Sequence, residues 1–387
     1  MSPDPSLARP RVVVLFGGRS SEHGISCVTA SGVLAAIDRD RYDVLAVGIT
    51  REGAWLCVDD DPAAWALRGR DLPEVSEAAA VLRGRLLPAT ATDGTGFVRV
   101  VPGQAPVPLG VVDVVLPLLH GPYGEDGTVQ GLLELAGTRY VGSGVLASAA
   151  CMDKHTMKVL LQHEGFAVAD WVLTRPAQWR SDLPAVVRSV GRLGAPVFVK
   201  PSRAGSSFGI TRLQDPADPD ALLAALEAAA VHDPRVIVEQ AVTGREVECG
   251  VLGGAPDDHG DAGAGASVCG EVVVLTDGFY DFDAKYLDGD AVRLDTPADL
   301  PAAVAALLRT ESVRAFDVLG CEGLARVDWF VDDAGDEPRA VVNEVNTMPG
   351  FTATSMYPRL WAEAGVEYPA LVDRLLRLAL SRDVGLR

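Results

Sequence analysis

Two short segments near the end of the chain carry side chains suited to a charged ligand. LARVDWFVD (324–332) and RAVVNEVN (339–346) are mainly apolar, and both read as strands. Side chains alternate along a strand, so Arg326 and Asp328 share one face of the first. Glu344 and Asn346 share one face of the second. If the two faces coincide, two carboxylates, an amide and a guanidinium converge. Two carboxylates about 4 Å apart repel by roughly 4 kcal/mol at an effective dielectric of ~20, so the pair needs a cation or a proton. An all-oxygen set of this kind suits Mg²⁺, which keeps waters and often binds substrate phosphates. The opposing reading, two exposed strand positions, fits less well with strands this apolar. NTMPGF follows, where Pro349-Gly350 makes a tight turn and Gly350 lets backbone approach a ligand.

A second constellation is KPSRAGSSFG (200–209). The apolar PVFV runs into it and ITRL follows, so a strand ends on Lys200 beside a Gly/Ser loop. A point charge, backbone N–H groups and hydroxyls together grip phosphate. No GxxxxGK[ST] occurs, and Gly17-Gly18 lacks the GxGxxG spacing, which sets aside a Walker loop and a dinucleotide fingerprint.

The elements that must hold these groups are legible as alternating periods. RVVVLF (11–16), YDVLAVGIT (42–50) and VVDVVLPLLHG (111–121) read as buried strands, with helices from about Ser26 to Ala36 and through TVQGLLELAG (128–137). This alternation predicts a parallel sheet wrapped by helices. Residues 57–110 read as less regular. Ser148 to Glu164 reads as one helix stopped by Gly165. WVLT, APVFVK, ITRL and RVIVEQ read as the strands of a smaller α+β unit. REVECGVLGG and GEVVV read as strands, residues 254–267 as a Gly/Ala/Asp-rich loop, and TDGFYDFDAKYLDGDAVR as a long loop. A helix is expected through PADLPAAVAALLRTESVRAFDVLG, starting near Thr296 or Asp299. A last helix, PALVDRLLRLAL, spaces Leu371, Leu375 and Leu378 for a core. The expected units are an N-terminal α/β domain at 1–147, a small central domain at 148–238 and a C-terminal domain at 239–387.

Composition narrows the function classes. The 387 residues are 48% hydrophobic, enough for a substantial core, and no apolar run reaches the length of a membrane span. MSPDPSLARP lacks the basic and apolar regions of a signal peptide, so cytoplasmic residence is expected. The six cysteines are scattered with no CxxC pair, which argues against a zinc site or a disulfide framework. A net charge of -19 disfavours nonspecific nucleic-acid binding, which rests on neutralising phosphates.

The motifs are more specific in their order than singly. GGRSSEHGIS, HGPYGEDGT, MDK, KPSRAGSSFG, VEQAVTGRE, FYDFDAKYL, ARVD and NEVNTMPGFT occur in series from 17 to 352. From about 11 to 380 the chain resembles the D-alanine–D-alanine ligases of the ATP-grasp superfamily. The resemblance implies an ATP-grasp fold with ATP between the central and C-terminal domains. It implies peptide-bond formation through an acyl phosphate, feeding peptidoglycan synthesis. It also implies two Mg²⁺ ions (Mn²⁺ being an alternative) and a homodimer.

Residue roles carry over from the same resemblance. Glu22 and His120 match the groups around the first D-alanine. Lys154 and Lys200 match lysines on the ATP phosphates, and Glu239 and Glu246 match acids at the adenine and ribose ends. Ser206, Tyr286 and Glu22 resemble a hydrogen-bonded set joining loop, lid and N-terminal domain, with Ser207 a neighbouring donor. Lys285 matches the lid lysine at the γ-phosphate, with Asp277-Gly278 and Asp288-Gly289 as candidate hinges. Arg326 and the Gly350 N–H match the oxyanion donors. Asp328, Glu344 and Asn346 match the metal ligands, and Ser355 the hydroxyl for the second substrate's carboxylate. Read alone, Glu22 would be a helix-capping acid, His120 a structural histidine and Lys154 a solvated helix lysine. Gly24 departs from the family, which often has an acid after SSEH. The alternatives are a D-alanine–D-lactate ligase on the same scaffold, against which Tyr286 in AKYL counts, and a non-catalytic nucleotide-binding regulator.

Overall fold

The computed structural model describes residues 9–88, 96–205, 208–254, 263–275, 292–332 and 338–385. The first apolar run forms β1 (Arg11–Gly17), with Val12 through Phe16 wholly buried. Such runs without polar alternation belong to strands covered on both faces. β2 (Asp43–Ile49) lies parallel beside β1, and β3 (Trp55–Cys57) closes that edge antiparallel. The stretch expected to be irregular holds a small antiparallel sheet of β4 (Arg85–Pro88), β5 (Phe97–Val100) and β6 (Val107–Pro108). β7 (Val114–Pro117) takes the other side of β1 in parallel, giving the order β3-β2-β1-β7. The expected parallel sheet is therefore present, with one antiparallel edge.

Helix α1 (His23–Ala36) follows the Gly17-Gly18 turn, and α2 (Thr128–Leu135) follows HGPYGEDG. The single helix expected from Ser148 is two, α3 (Val145–Met152) and α4 (Lys154–His163). Asp153 separates them. Its backbone leaves the helical region (φ -86, ψ 100), and its carboxylate accepts the Thr156 N–H at 3.0 Å. An acid placed three residues before an N–H caps a new helix rather than continuing the old one. Gly165 stops α4 with φ +84, as expected.

The central unit is an antiparallel sheet of β8 (Trp171–Thr174), β9 (Val197–Pro201), β10 (Thr211–Leu213) and β11 (Val236–Gln240), ordered β10-β9-β11-β8. Helices α5 (Pro176–Val190) and α6 (Pro219–Ala230) supply Trp179, Val190, Leu222 and Leu226 to its core.

The third sheet holds β12 (Arg245–Leu252), β13 (Gly265–Val274), β14 (Val292–Asp295), β15 (Leu324–Asp332) and β16 (Arg339–Asn346), ordered β14-β13-β12-β15-β16. β13 begins at Gly265, inside the segment expected as loop. Helix α7 (Ala302–Val318) starts later than the expected Thr296 or Asp299. Pro301 sits at its N-cap, and the residue before a proline is pushed out of the helical region, so the helix begins only after it. Helices α3 and α4 pack on this sheet, Cys151 of the first and Met157 and Leu161 of the second sharing a core with Val247 and Val327. After α8 (Met356–Glu363), helix α9 (Tyr368–Ser381) returns to the first sheet. Leu371 and Leu375 join the core of Val12 and Val14, and the Tyr42 hydroxyl donates to Asp373 at 2.8 Å. Each such aliphatic side chain contributes about 1.5–3 kcal/mol by leaving water.

Candidate active site

The pairing of β15 with β16 decides whether the two polar faces meet. Arg326 stands opposite Asn346, and Asp328 opposite Glu344, with a bulge just after Asp328. The faces coincide. On the other side of β15, Glu248 of β12 stands opposite Asp328. Glu248, Asp328 and Glu344 thus form a row of carboxylates across adjacent strands. Arg326 compensates part of it. Its Nε and Nη2 each donate to Asp328 at 2.7 Å, and its Nε lies 3.0 Å from Glu248 Oε2. Burial works against the guanidinium's charge, but Asp328 and Glu248 outweigh it and raise its affinity for the proton. Asn346 Nδ2 donates to Asp328 Oδ2 at 2.9 Å. Among the described residues, no three His, Cys, Asp or Glu side chains cluster as a metal site. Asp328, Glu344 and Asn346 together offer two carboxylates and one amide oxygen.

A cavity of about 190 Å³ opens between the central and third sheets. Phe198, Val242, Phe330 and Val342 make apolar walls, and Lys154, Lys200, Glu239, Glu246 and Glu344 supply the charges. Glu239 is buried with two lysines: Lys200 Nζ donates to it at 2.5 Å, and Lys158 Nζ lies 3.3 Å away. Burial favours the neutral acid, yet the two ammonium groups hold the Glu239 carboxyl down at about 2. Burial pulls Lys158 below the usual lysine value, despite Glu239. Lys200 is raised, because Glu239 outweighs its desolvation. Lys154 Nζ donates to the Ala204 carbonyl at 2.9 Å and lies 3.5 Å from Glu344. It is no solvated lysine: its side chain is 14% exposed.

A second cavity, about 400 Å³, adjoins the first and shares Lys154, Ala204, Gly205 and Glu344 with it. Glu22, His120, Glu125, Glu248, Arg326, Gly350 and Ser355 line it. Glu22 stands at the N-cap of α1 but its side chain makes no capping bond, so the capping role does not apply. His120 is buried, and burial lowers its affinity for a proton. Its Nδ1 lies 3.2 Å from the Met348 carbonyl, which can only accept, so Nδ1 carries the hydrogen. Nε2, 3.3 Å from the Thr29 hydroxyl, is then the acceptor. Ser355 Oγ accepts the Thr352 N–H at 3.2 Å, which ties the hydroxyl to the turn after Gly350.

The same cavity holds groups the sequence reading missed. Glu125 accepts the Gly121 N–H at 2.6 Å, and burial, then Glu22, push its carboxyl up to about 8. Leu67 and Leu72, from the stretch that reads as less regular, line it as well. A Cβ on Gly24 would stand 2.6 Å from Leu72 Cβ, so this close approach asks for the glycine that departs from the family. Glu248 had a legible signal, since it lies two residues from Glu246 on one strand. Lys158 follows Lys154 by one helical turn, but it sits between apolar neighbours that its charge gave no reason to expect.

Gly121 has φ +72, and a Cβ there would stand 2.4 Å from Glu22 Oε2. Gly121→Ala is expected to displace that carboxylate and, given the ammonium-binding role the family resemblance implies for Glu22, to raise the KM for the first amino-acid substrate by about tenfold, or roughly 1.4 kcal/mol. Steady-state KM values for both substrates check this, with the ATP value unchanged.

Two family models cover most of the chain. The D-ala D-ala ligase N-terminus matches residues 11–143, and the D-ala D-ala ligase C-terminus matches 160–377. The chain belongs to the D-alanine–D-alanine ligase family. A D-alanine–D-alanine ligase of Kineococcus radiotolerans is 55% identical over 99% of this chain and 100% of its own. One from Pseudarthrobacter chlorophenolicus is 50% identical over 98% and 96%. Among solved structures, the VanG D-Ala:D-Ser ligase of Enterococcus faecalis superposes with TM-score 0.79 at 32% identity, covering 96% of this chain and 100% of that one. The D-alanine–D-alanine ligase of Coxiella burnetii gives 0.78 at 31%, covering 97% and 94%. The fold is that of these ligases, the ATP-grasp fold.

Of the residues singled out from sequence, Glu22, His120, Arg326, Gly350 and Ser355 line the larger cavity, together with Asn346. Lys200, Glu239 and Glu246 line the smaller one, and Lys154 and Glu344 face both. Asp328 is buried behind Arg326. Ser206, Ser207, Lys285 and Tyr286 lie outside the described residues, as do the candidate hinges at 277–278 and 288–289.

Proposed function

We propose that this protein joins two D-alanine molecules into D-alanyl-D-alanine at the expense of ATP, for peptidoglycan precursors. The observation that carries the reading is the pair of adjoining cavities with Lys154 and Glu344 on their shared wall. A nucleotide in the smaller would place its terminal phosphate toward a substrate in the larger.

The chemistry follows from the side chains. A carboxylate is a poor acyl donor, because oxide is a poor leaving group. In the proposed sequence, Glu22 holds the first D-alanine by its ammonium with His120 close by, and the substrate's carboxylate oxygen attacks the γ-phosphorus, releasing ADP. The second D-alanine, held at its carboxylate by Ser355, sheds its ammonium proton to solvent on binding, and the amine attacks the acyl carbon, its further proton passing to the departing phosphate. Charge then grows on the carbonyl oxygen, where Arg326 and the Gly350 N–H are the donors, and phosphate leaves. Lys154, Lys200 and Lys285 offset phosphate charge. The acyl phosphate is open to hydrolysis, so the loop with Ser206 and Ser207 and the lid with Tyr286 serve to exclude water.

Asp328, Glu344 and Asn346 fit two magnesium ions by their chemistry, since all three carry oxygen on one sheet surface, where Glu344 and Asn346 line the cavity and Asp328 lies beside them. Arg326 and Lys154 already supply the countercharge such acids require. When bound, the ions neutralise charge on the transferring phosphoryl group.

Tyr286 sets the acceptor in this reading. The likeness to a D-Ala:D-Ser ligase shows that the scaffold alone does not fix it. Tyr286→Phe is expected to loosen the preference for D-alanine over D-lactate by about tenfold while the ATP KM stays within about twofold. Product ratios from mixed acceptors check this, and an unaltered ratio removes the residue from acceptor choice. The domains at 1–147, 148–238 and 239–387, the homodimer and the cytoplasmic location belong to the same proposal. Among the described residues no helix is long and apolar enough to cross a membrane. Nucleic acid has no place in the reaction.

Phosphate release from ATP tests the whole reading. It is expected with D-alanine and absent with L-alanine or no amino acid. Release under none of these conditions, in a folded protein that binds ATP, would favour the non-catalytic regulator.

A further inference from the structure

Glu248 has no part in the contacts assigned above to substrate, nucleotide or metal. It is nonetheless 4% exposed and lines the larger cavity. A carboxylate so placed is costly unless a cation meets it. Arg326 is that cation, with Nε at 3.0 Å from Glu248 Oε2.

Arg326 therefore has two acids for one positive charge. Asp328 holds it by two hydrogen bonds and accepts a third from Asn346. In the reading given above, the same Asp328 oxygens serve a divalent cation. Arg326 cannot keep both bonds to them at full strength while they do so. Glu248 reaches it from β12, whereas Glu344 and Asn346 come from β16, and those strands flank β15 on opposite sides. The Glu248 contact can persist while Asp328 turns to the metal side.

We propose that Glu248 is a positioning residue, which keeps the Arg326 guanidinium aimed into the substrate cavity when the Asp328 oxygens engage a cation. The inference rests on Arg326 being the oxyanion donor of the proposed reaction.

A double-mutant cycle with a metal titration tests it. Glu248→Gln is expected to lower kcat at least about tenfold with the ATP KM within about twofold, and Glu248→Asp to recover part of the loss. On an Arg326→Ala background the same substitution should cost less than about twofold. Binding of Mn²⁺ in the presence of ADP, read by electron paramagnetic resonance, should weaken several-fold in Glu248→Gln, because Arg326 then clings to Asp328. Equal losses on both backgrounds would overturn the positioning role alone. Wild-type kcat in Arg326→Ala would overturn the assignment of Arg326, and the positioning role with it. If Arg326→Ala does not fold, the titration of Glu248→Gln decides, and unchanged Mn²⁺ affinity overturns the proposal.

Discussion

Glu239→Ala is expected to destabilise the ligand-free protein by roughly 3–5 kcal/mol. The physical reason is Lys158, whose side chain is 1% exposed and forms an ion pair with Glu239. Removing one member of a buried pair strands the other's charge in a medium that solvates it poorly. The pH dependence has a definite sign. The folded carboxyl sits at about 2, below the ordinary 4.5, so its contribution is complete above that ordinary value. It is lost as pH falls from 4.5 toward 2. That interval amounts to about 3 kcal/mol. Urea unfolding at neutral pH and along this acid limb checks both statements. Glu239→Gln should flatten the limb. A variant as stable as the parent, with the same acid limb, would show that the lysines do not depend on this carboxylate.

The second large effect is catalytic. Glu344→Gln is expected to reduce kcat on the order of 10²-fold and to raise the Mg²⁺ concentration needed for half-maximal rate. The fold should be kept, because this side chain is 26% exposed and its contact to Lys154 is long, at 3.5 Å. Rates across a magnesium series, beside thermal unfolding of both proteins, separate these effects. An unchanged rate at limiting magnesium would remove Glu344 from the metal set.

What could be read from sequence follows from the range of the interactions. β15 and β16 were legible because apolar alternation is local, and the convergence of Arg326, Asp328, Glu344 and Asn346 needed only the pairing register. The break at Asp153 was missed because a single side-chain bond outweighs a run of good helix formers. Lys158 could not be placed, since its partner lies 81 positions along the chain, on β11. Leu72 and Glu125 enter the cavity through loops, where no period marks the inward side. The roles given to Ser206, Ser207, Lys285 and Tyr286 rest on the order of the motifs around them.

The most direct test of the central claim follows an oxygen atom. D-alanine labelled with ¹⁸O in its carboxylate is supplied with ATP and Mg²⁺, and the released phosphate and the product are examined by mass spectrometry. Activation of the carboxylate by phosphoryl transfer predicts one ¹⁸O carried into phosphate for each D-alanyl-D-alanine formed. Dipeptide formed with unlabelled phosphate, or labelled phosphate with no dipeptide, would contradict the account.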